Sequence, residues 1–141
     1  MHAIVIGAGF SGMSTAAYLA QKGYRVTVLE KHDGPGGRGR QWQSEGYTFD
    51  MGPSWYWMPD VFETFFGHFG KKPSDYYTLE RLDPSYSIFY EDGPMTIPAS
   101  MDEMEALFER VEPGSAIRLR KFLQDAAYKY EVGINDLVRK P

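Results

Sequence analysis

The chain has 141 residues, 43% of them apolar and 24% charged, with a net charge of −4. This is globular rather than disordered composition, and the length suits one domain or one domain plus part of another. Cysteine is absent, which excludes disulfides, thiolate metal sites and a cysteine nucleophile, and no block of Lys and Arg points to nucleic acid.

In chain order, the apolar run Ala3–Ile6 before Gly7 predicts a strand buried on both faces. The pattern from Phe10 to Lys22, stopped by Gly23, predicts a helix. Arg25–Leu29, ending at Glu30, predicts a second buried strand, so the first 30 residues read as a βαβ unit. His32–Gly39 is a loop with glycine at 34, 36, 37 and 39. Gln41–Gln43 and Tyr47–Phe49 predict two short strands turning at Glu45-Gly46. Pro59 suits the first turn of a helix running to about Phe69. Glu80–Leu82, Ser87–Tyr90 and Met95–Ile97 predict an antiparallel meander of three strands. Ser100 with Glu103 is a capping box for a helix over 101–111. Pro113-Gly114-Ser115 opens a longer amphipathic helix with Ile117, Phe122, Leu123, Ala126, Ala127 and Tyr130 on one side.

Gly7-Ala8-Gly9-Phe10-Ser11-Gly12 matches G-x-G-x-x-G between a predicted strand and a predicted helix. The first glycine permits the tight turn, the second admits a pyrophosphate to the backbone, and the third lets helix and strand pack closely. Free N–H groups at the helix start and the helix dipole then favour phosphate. Glu30 lies 18 residues after Gly12, where a carboxylate bonds a ribose hydroxyl, and it disfavours the 2′-phosphate of NADP. The adjoining Lys31 softens that preference. Next comes Gly36-Gly37-Arg38-Gly39-Arg40, a turn able to bend round a ligand and carrying a permanent charge. On spacing alone it also suits a solvated surface turn.

Ile4–Gly12, Glu30, Pro35-Gly36-Gly37-Arg38 and Phe49-Asp50-Met51-Gly52-Pro53 together resemble the flavin monoamine-oxidase-like superfamily. The stretch to Ser54-Trp55, with Pro59-Asp60-Val61-Phe62 and Leu82-Asp83-Pro84-Ser85-Tyr86, resembles the bacterial carotenoid (phytoene) desaturase family. The resemblance implies FAD as cofactor. Gly7, Ala8, Gly9, Phe10, Ser11 and Gly12 would hold its pyrophosphate, and Glu30, next to Lys31, its adenosine ribose. Gly36, Gly37, Arg38 and Arg40 would meet the phosphates or ribityl chain. Met51, Gly52, Pro53 and Ser54 would run beside the isoalloxazine, where a missing Cβ allows close approach.

The expected architecture is α/β: a Rossmann-like βαβ FAD-binding core over 1–74, then the start of an α+β substrate domain over 75–141, with the antiparallel meander and helices. The expected activity is an FAD-dependent desaturase that passes hydride from an apolar polyene, a carotenoid precursor, to flavin. The chain is read as an N-terminal fragment, inactive alone, whose partner is the remainder of its own chain. Catalytic residues are not assigned. Flavin amine oxidases and protoporphyrinogen-type oxidases share the glycine motifs, and a non-redox nucleotide-binding module is a third reading. Trp55-Tyr56-Trp57 reads either as a wall beside flavin or polyene or as core packing, while Phe62, Phe65, Phe66 and Phe69 read as core. His2, His32 and His68 lack metal-ligand spacing. No secretory signal and no apolar run of ~20 residues occur, so a cytoplasmic location is expected, with peripheral membrane contact left open.

Overall fold

The computed structural model describes residues 1–53 and 55–138, which fall into two compact units, Met1–Thr78 and Leu79–Pro141. The first unit opens with β1 (His2–Ile6), α1 (Phe10–Gln21) and β2 (Arg25–Leu29). β1 and β2 pair in parallel, from His2 opposite Arg25 to Ile6 opposite Leu29. The connecting helix makes this the predicted βαβ unit. Helix α1 stops because Gly23 takes φ +83, which lets the chain turn away.

The strands are not buried on both faces as their composition predicts. Among the described residues each pairs only with the other, and Ile4 and Ile6 stay 62% and 86% exposed. A parallel sheet needs helices on both faces, and here α1 is the helix packed on β1 and β2.

After the loop, β3 (Gln41–Ser44) and β4 (Tyr47–Asp50) form an antiparallel hairpin with Trp42 stacked on its partner Phe49 at 5.3 Å. Both turn residues have positive φ, Glu45 at 52° and Gly46 at 84°. That is the backbone a two-residue turn needs to match strand twist, and glycine supplies only half of it without strain. Helix α2 (Pro59–Gly67) follows, entered through Met58 at φ 54°, with Pro59 in its first turn as predicted. It ends two residues before Phe69. Its phenylalanines and Phe69 beyond it are half-buried and pack ring to ring: Phe65 and Phe69 on Tyr18 of α1 at 5.8 and 5.2 Å, and Phe66 on Tyr76 at 5.0 Å. The Tyr18 hydroxyl also bonds His68 Nδ1 at 2.6 Å.

In the second unit, β5 (Tyr86–Tyr90) and β6 (Gly93–Ile97) form one antiparallel hairpin. The predicted three-strand meander is therefore a two-strand hairpin among the described residues. Glu80–Leu82 does not join a ladder because side chains tether this stretch instead. Arg81 Nη2 donates to the Ala99 carbonyl at 2.6 Å, and Asp83 Oδ1 accepts from the Ala99 N–H at 3.1 Å. Pro84, which has no N–H, ends the pairing that reaches Ser85.

Helix α3 (Met101–Val111) begins at Ser100, whose side chain faces the Glu103 N–H as the capping box predicts. Helix α4 (Ser115–Val132) packs on α3 and passes into a π-helical turn, Gly133–Val138. Its predicted apolar side is uncovered: Ile117 and Phe122 are 78% and 67% exposed.

The β3–β4 turn makes a stability prediction. Asn tolerates positive φ better than Glu, so Glu45→Asn should raise the unfolding free energy by about 0.5 kcal/mol, whereas Gly46→Ala should lower it by about 1 kcal/mol. Urea unfolding of the three chains checks both signs.

Candidate functional site

Gly7 to Gly12, Glu30, Gly36 and Gly37 meet at the turn between β1 and α1. Gly7 N–H donates to the Leu29 carbonyl at 2.7 Å, which fixes the turn to the end of β2. Ala8 is held at both of its backbone groups. Ala8 N–H donates to Glu30 Oε2 at 2.6 Å, and the Ala8 carbonyl accepts from Gly36 N–H at 2.8 Å. Ala8 is accordingly one of the few buried residues, at 7% exposed. The two glycine clusters, separate in sequence, are thus joined through its backbone.

Space explains the residue types. A Cβ on Gly12 would lie 1.9 Å from the Gly7 carbonyl oxygen, so the third glycine is a packing requirement. A Cβ on Gly37 would lie 3.0 Å from Gly9 Cα, and one on Gly52 would lie 2.9 Å from Gly39 Cα. The backbones of three loops therefore touch where side chains are missing. Gly9 itself meets only Gly37 Cα, at 3.8 Å from its added Cβ, and the space beyond is open. Helix α1 starts at Phe10 with no side-chain cap and no acidic residue in its first turn. Its leading N–H groups lack intrahelical partners, so this end of the helix is suited to an anion.

Glu30 does more than end a strand. Besides Ala8, its Oε1 accepts from His32 N–H at 3.0 Å. These bonds, that of Ala8 first, hold its carboxyl below the usual glutamate range. Each carboxylate oxygen keeps acceptor capacity for a further donor.

The remaining predicted residues are distributed as follows. Arg40 Nη1 turns back to donate to the Gly37 carbonyl at 3.0 Å, bracing the short 3-10 turn Gly37–Gly39, and the Arg40 carbonyl accepts from Met51 N–H at 3.0 Å. Arg38 is exposed and enters no ion pair among the described residues. Lys31 and Arg40 line an open, mainly polar cleft of about 560 Å³ with His32, Asp33 and Trp42. Met51 and Pro53 are exposed beside the half-buried Gly52. Ser54 lies outside the described residues.

Sequence reasoning missed two contributors. One is Gly39, which receives both Gly52 and the ring of Phe10, the latter 3.1 Å from an added Cβ. The run of glycines at 34, 36, 37 and 39 was the available signal. The other is an aromatic relay: Phe10 meets Phe62 edge-on at 6.2 Å, Phe62 lies 4.8 Å from Tyr56, and Tyr56 lies 5.8 Å from Tyr77. Burial, then the hydrogen bond to the Tyr77 hydroxyl, raises the Tyr56 phenol well above its ordinary value. The Trp55-Tyr56-Trp57 segment thus divides. Tyr56 belongs to the packed cluster, while Trp55 and Trp57 are 58% and 62% exposed.

Residues 5–69 match the family model of an NAD(P)-binding Rossmann-like domain. A carotenoid 3,4-desaturase from Haloarcula japonica is 47% identical over 135 residues, which is 95% of this chain and 27% of that protein. A 4,4′-diapophytoene desaturase from Staphylococcus aureus is 40% identical over 94% of this chain and 26% of its own length. The chain therefore spans about a quarter of the curated relatives it matches. Among solved structures, a fatty acid isomerase from P. acnes is 32% identical over 50% of this chain and 17% of its own, with a TM-score of 0.38, a superposition too loose to locate individual residues.

The glycine geometry separates packing from binding. Gly12→Ala should cost at least about 2 kcal/mol because its Cβ meets a carbonyl that cannot step aside. Gly9→Ala, at the helix N-cap with ordinary contacts, should cost under about 1 kcal/mol. Denaturant midpoints of the two variants test the order.

Glu30 predicts a pH effect of definite sign. Its folded pKa is depressed, so its stabilisation is present above the unfolded glutamate value and is lost as pH falls through the folded one. Glu30→Gln should therefore show a shallower loss of stability than the parent between about pH 5 and pH 2. Parallel slopes for the two chains over that window would refute this role.

Proposed function

We propose, for a chain that belongs to the carotenoid desaturase family, that residues 1–74 form the dinucleotide-binding part of an FAD-dependent oxidoreductase acting on an apolar polyene. The observation that carries this reading is the junction of the two glycine clusters at an uncapped helix start. Gly36 N–H bonds the Ala8 carbonyl, Gly37 rests against Gly9, and open space remains where a Cβ of Gly9 would point. That is a cradle for a pyrophosphate and fits the group.

In this reading the backbone N–H groups from Gly9 to Gly12, with Gly7, Ala8, Phe10 and Ser11 shaping the turn, bind the phosphates. Glu30 keeps its grip on Ala8 and offers its remaining lone pairs to ribose hydroxyls, with Lys31 beside it. Arg38 is the mobile charge over the phosphates, while Arg40 holds the Gly36-Gly37 turn in shape rather than reaching for ligand. Met51, Gly52 and Pro53 flank the ring system, where Gly52 lets the chain pass against Gly39. FAD when bound supplies a two-electron oxidation centre, and the protein supplies binding, orientation and exclusion of water. The net reaction removes two hydrogens from a C–C single bond of the polyene, as hydride and proton, and leaves a double bond. None of the described side chains is assigned as the base.

Residues 75–141 are the beginning of a substrate domain in this reading. No helix among the described residues is long and apolar enough to cross a membrane. The substrate is apolar, so the proposal includes peripheral contact with the membrane that dissolves it.

Fluorescence titration with FAD tests the assignment. The chain should quench FAD saturably, Gly9→Val should abolish the quenching, and Glu30→Gln should weaken affinity by about tenfold, the worth of a charged hydrogen bond. Tighter binding of NADH than of FAD, or unchanged FAD affinity in Gly9→Val, would overturn it.

A further inference from the structure

Phe10 is 62% exposed, so burial of apolar surface accounts for little of its presence. Its backbone opens α1 at the uncapped helix start, while its side chain reaches Gly39 at the end of the glycine-rich loop.

The short turn Gly37–Gly39 is fastened at its two ends by different means. At the near end the fastening is backbone. Gly36 N–H donates to the Ala8 carbonyl at 2.8 Å, and Gly37 lies against Gly9. At the far end Gly39 N–H donates back to the Gly36 carbonyl at 3.0 Å, within the loop itself. There the contact with α1 is the Phe10 ring. A Cβ on Gly39 would stand 3.1 Å from Phe10 Cε2 and 3.6 Å from Cζ. Gly52 in turn rests on Gly39. A Cβ on Gly52 would stand 2.9 Å from Gly39 Cα and 3.3 Å from the Arg38 carbonyl oxygen. The contacts therefore run from ring to Gly39 to Gly52. The ring is itself restrained by Phe62, edge-on at 6.2 Å, and Phe62 by Tyr56 at 4.8 Å, whose hydroxyl bonds that of Tyr77.

We infer that Phe10 is a positioning residue: its ring sets the spacing between the phosphate-binding turn and the Gly52 segment. This rests on the FAD reading above and deepens it. A ligand that joins a pyrophosphate to a ring system is gripped at both places only if their spacing is fixed beforehand. Without the Phe10 ring, the far end of the turn loses its support against α1, while the near end keeps its backbone bonds. A ligand that uses the near end alone is indifferent to this side chain, because the N–H of residue 10 remains. A ligand that also reaches the Gly52 segment is not.

Calorimetric titration of the 141-residue chain with FAD and with ADP tests this. ADP carries the adenosine and the pyrophosphate but no isoalloxazine. Phe10→Ala should weaken FAD by about tenfold, the order that lost preorganisation costs, and ADP by at most about twofold. Phe10→Leu, which keeps an apolar body beside Gly39, should recover most of the FAD affinity. In the ligand-free chain, the Gly39 and Gly52 amide NMR signals should move in Phe10→Ala while that of Ile4 stays. A residue that merely stabilised the helix start would weaken both ligands alike. Equal losses for FAD and ADP, no loss of FAD, or unmoved Gly39 and Gly52 signals would overturn the inference and leave the FAD reading standing. A parent chain that binds neither ligand would overturn both.

Discussion

The first unit is organised around the backbone of one residue, Ala8. The N–H of Ala8 is held by the carboxylate of Glu30, and its carbonyl is held by the N–H of Gly36. Through those two bonds the end of β2 and the glycine-rich loop are both referred to the turn that opens α1. Each partner sits where it does for a reason the sequence contains. Glu30 is carried there by the parallel register of β1 and β2, and Gly36 by a backbone with φ 117° that a side chain would strain. Removing the charge of Glu30 would loosen a loop more than 20 residues upstream, because the carboxylate acts on backbone and not on another side chain.

From that residue the contacts spread outward as backbone against backbone. Gly9 touches Gly37, and Gly39 touches Gly52. Such contacts need no side-chain complementarity, only its absence. The aromatic relay from Phe10 through Phe62 to Tyr56 provides the side-chain counterpart, linking the helix start to α2 and the segment before it. The glycine contacts bring loops close enough to share one ligand, and the rings restrain the elements those loops leave.

Local features were the most legible in the sequence. The βαβ unit, the hairpin turning at Glu45-Gly46 and the cap at Ser100 follow from short-range rules, and each stands within a residue or two of its expected place. Glu80–Leu82 resembled a strand because its composition says nothing of the Arg81 and Asp83 side chains reaching Ala99. Ala8 was legible as part of a motif but not as its pivot, since a small side chain gives no sign of what its backbone N–H and C=O bond. Gly39 was legible as part of a glycine-rich turn but not as a contact point, because its neighbours Phe10 and Gly52 are distant in sequence. The burial expected of β1 and β2 failed for another reason: apolar composition states what a strand favours, and exposure depends on which layers surround it.

The exposure of Ile4 and Ile6 has a consequence for handling the protein. A short, apolar, two-stranded parallel sheet leaves an outer row of N–H and C=O groups on each strand beside uncovered aliphatic side chains. Such an edge is a template for strand addition by any extended chain, including another copy in the course of folding. An exposed edge of that kind favours self-association, which grows with concentration. Dilution during refolding, or a charged residue on the outward face of β1, acts directly on the balance between monomer and aggregate.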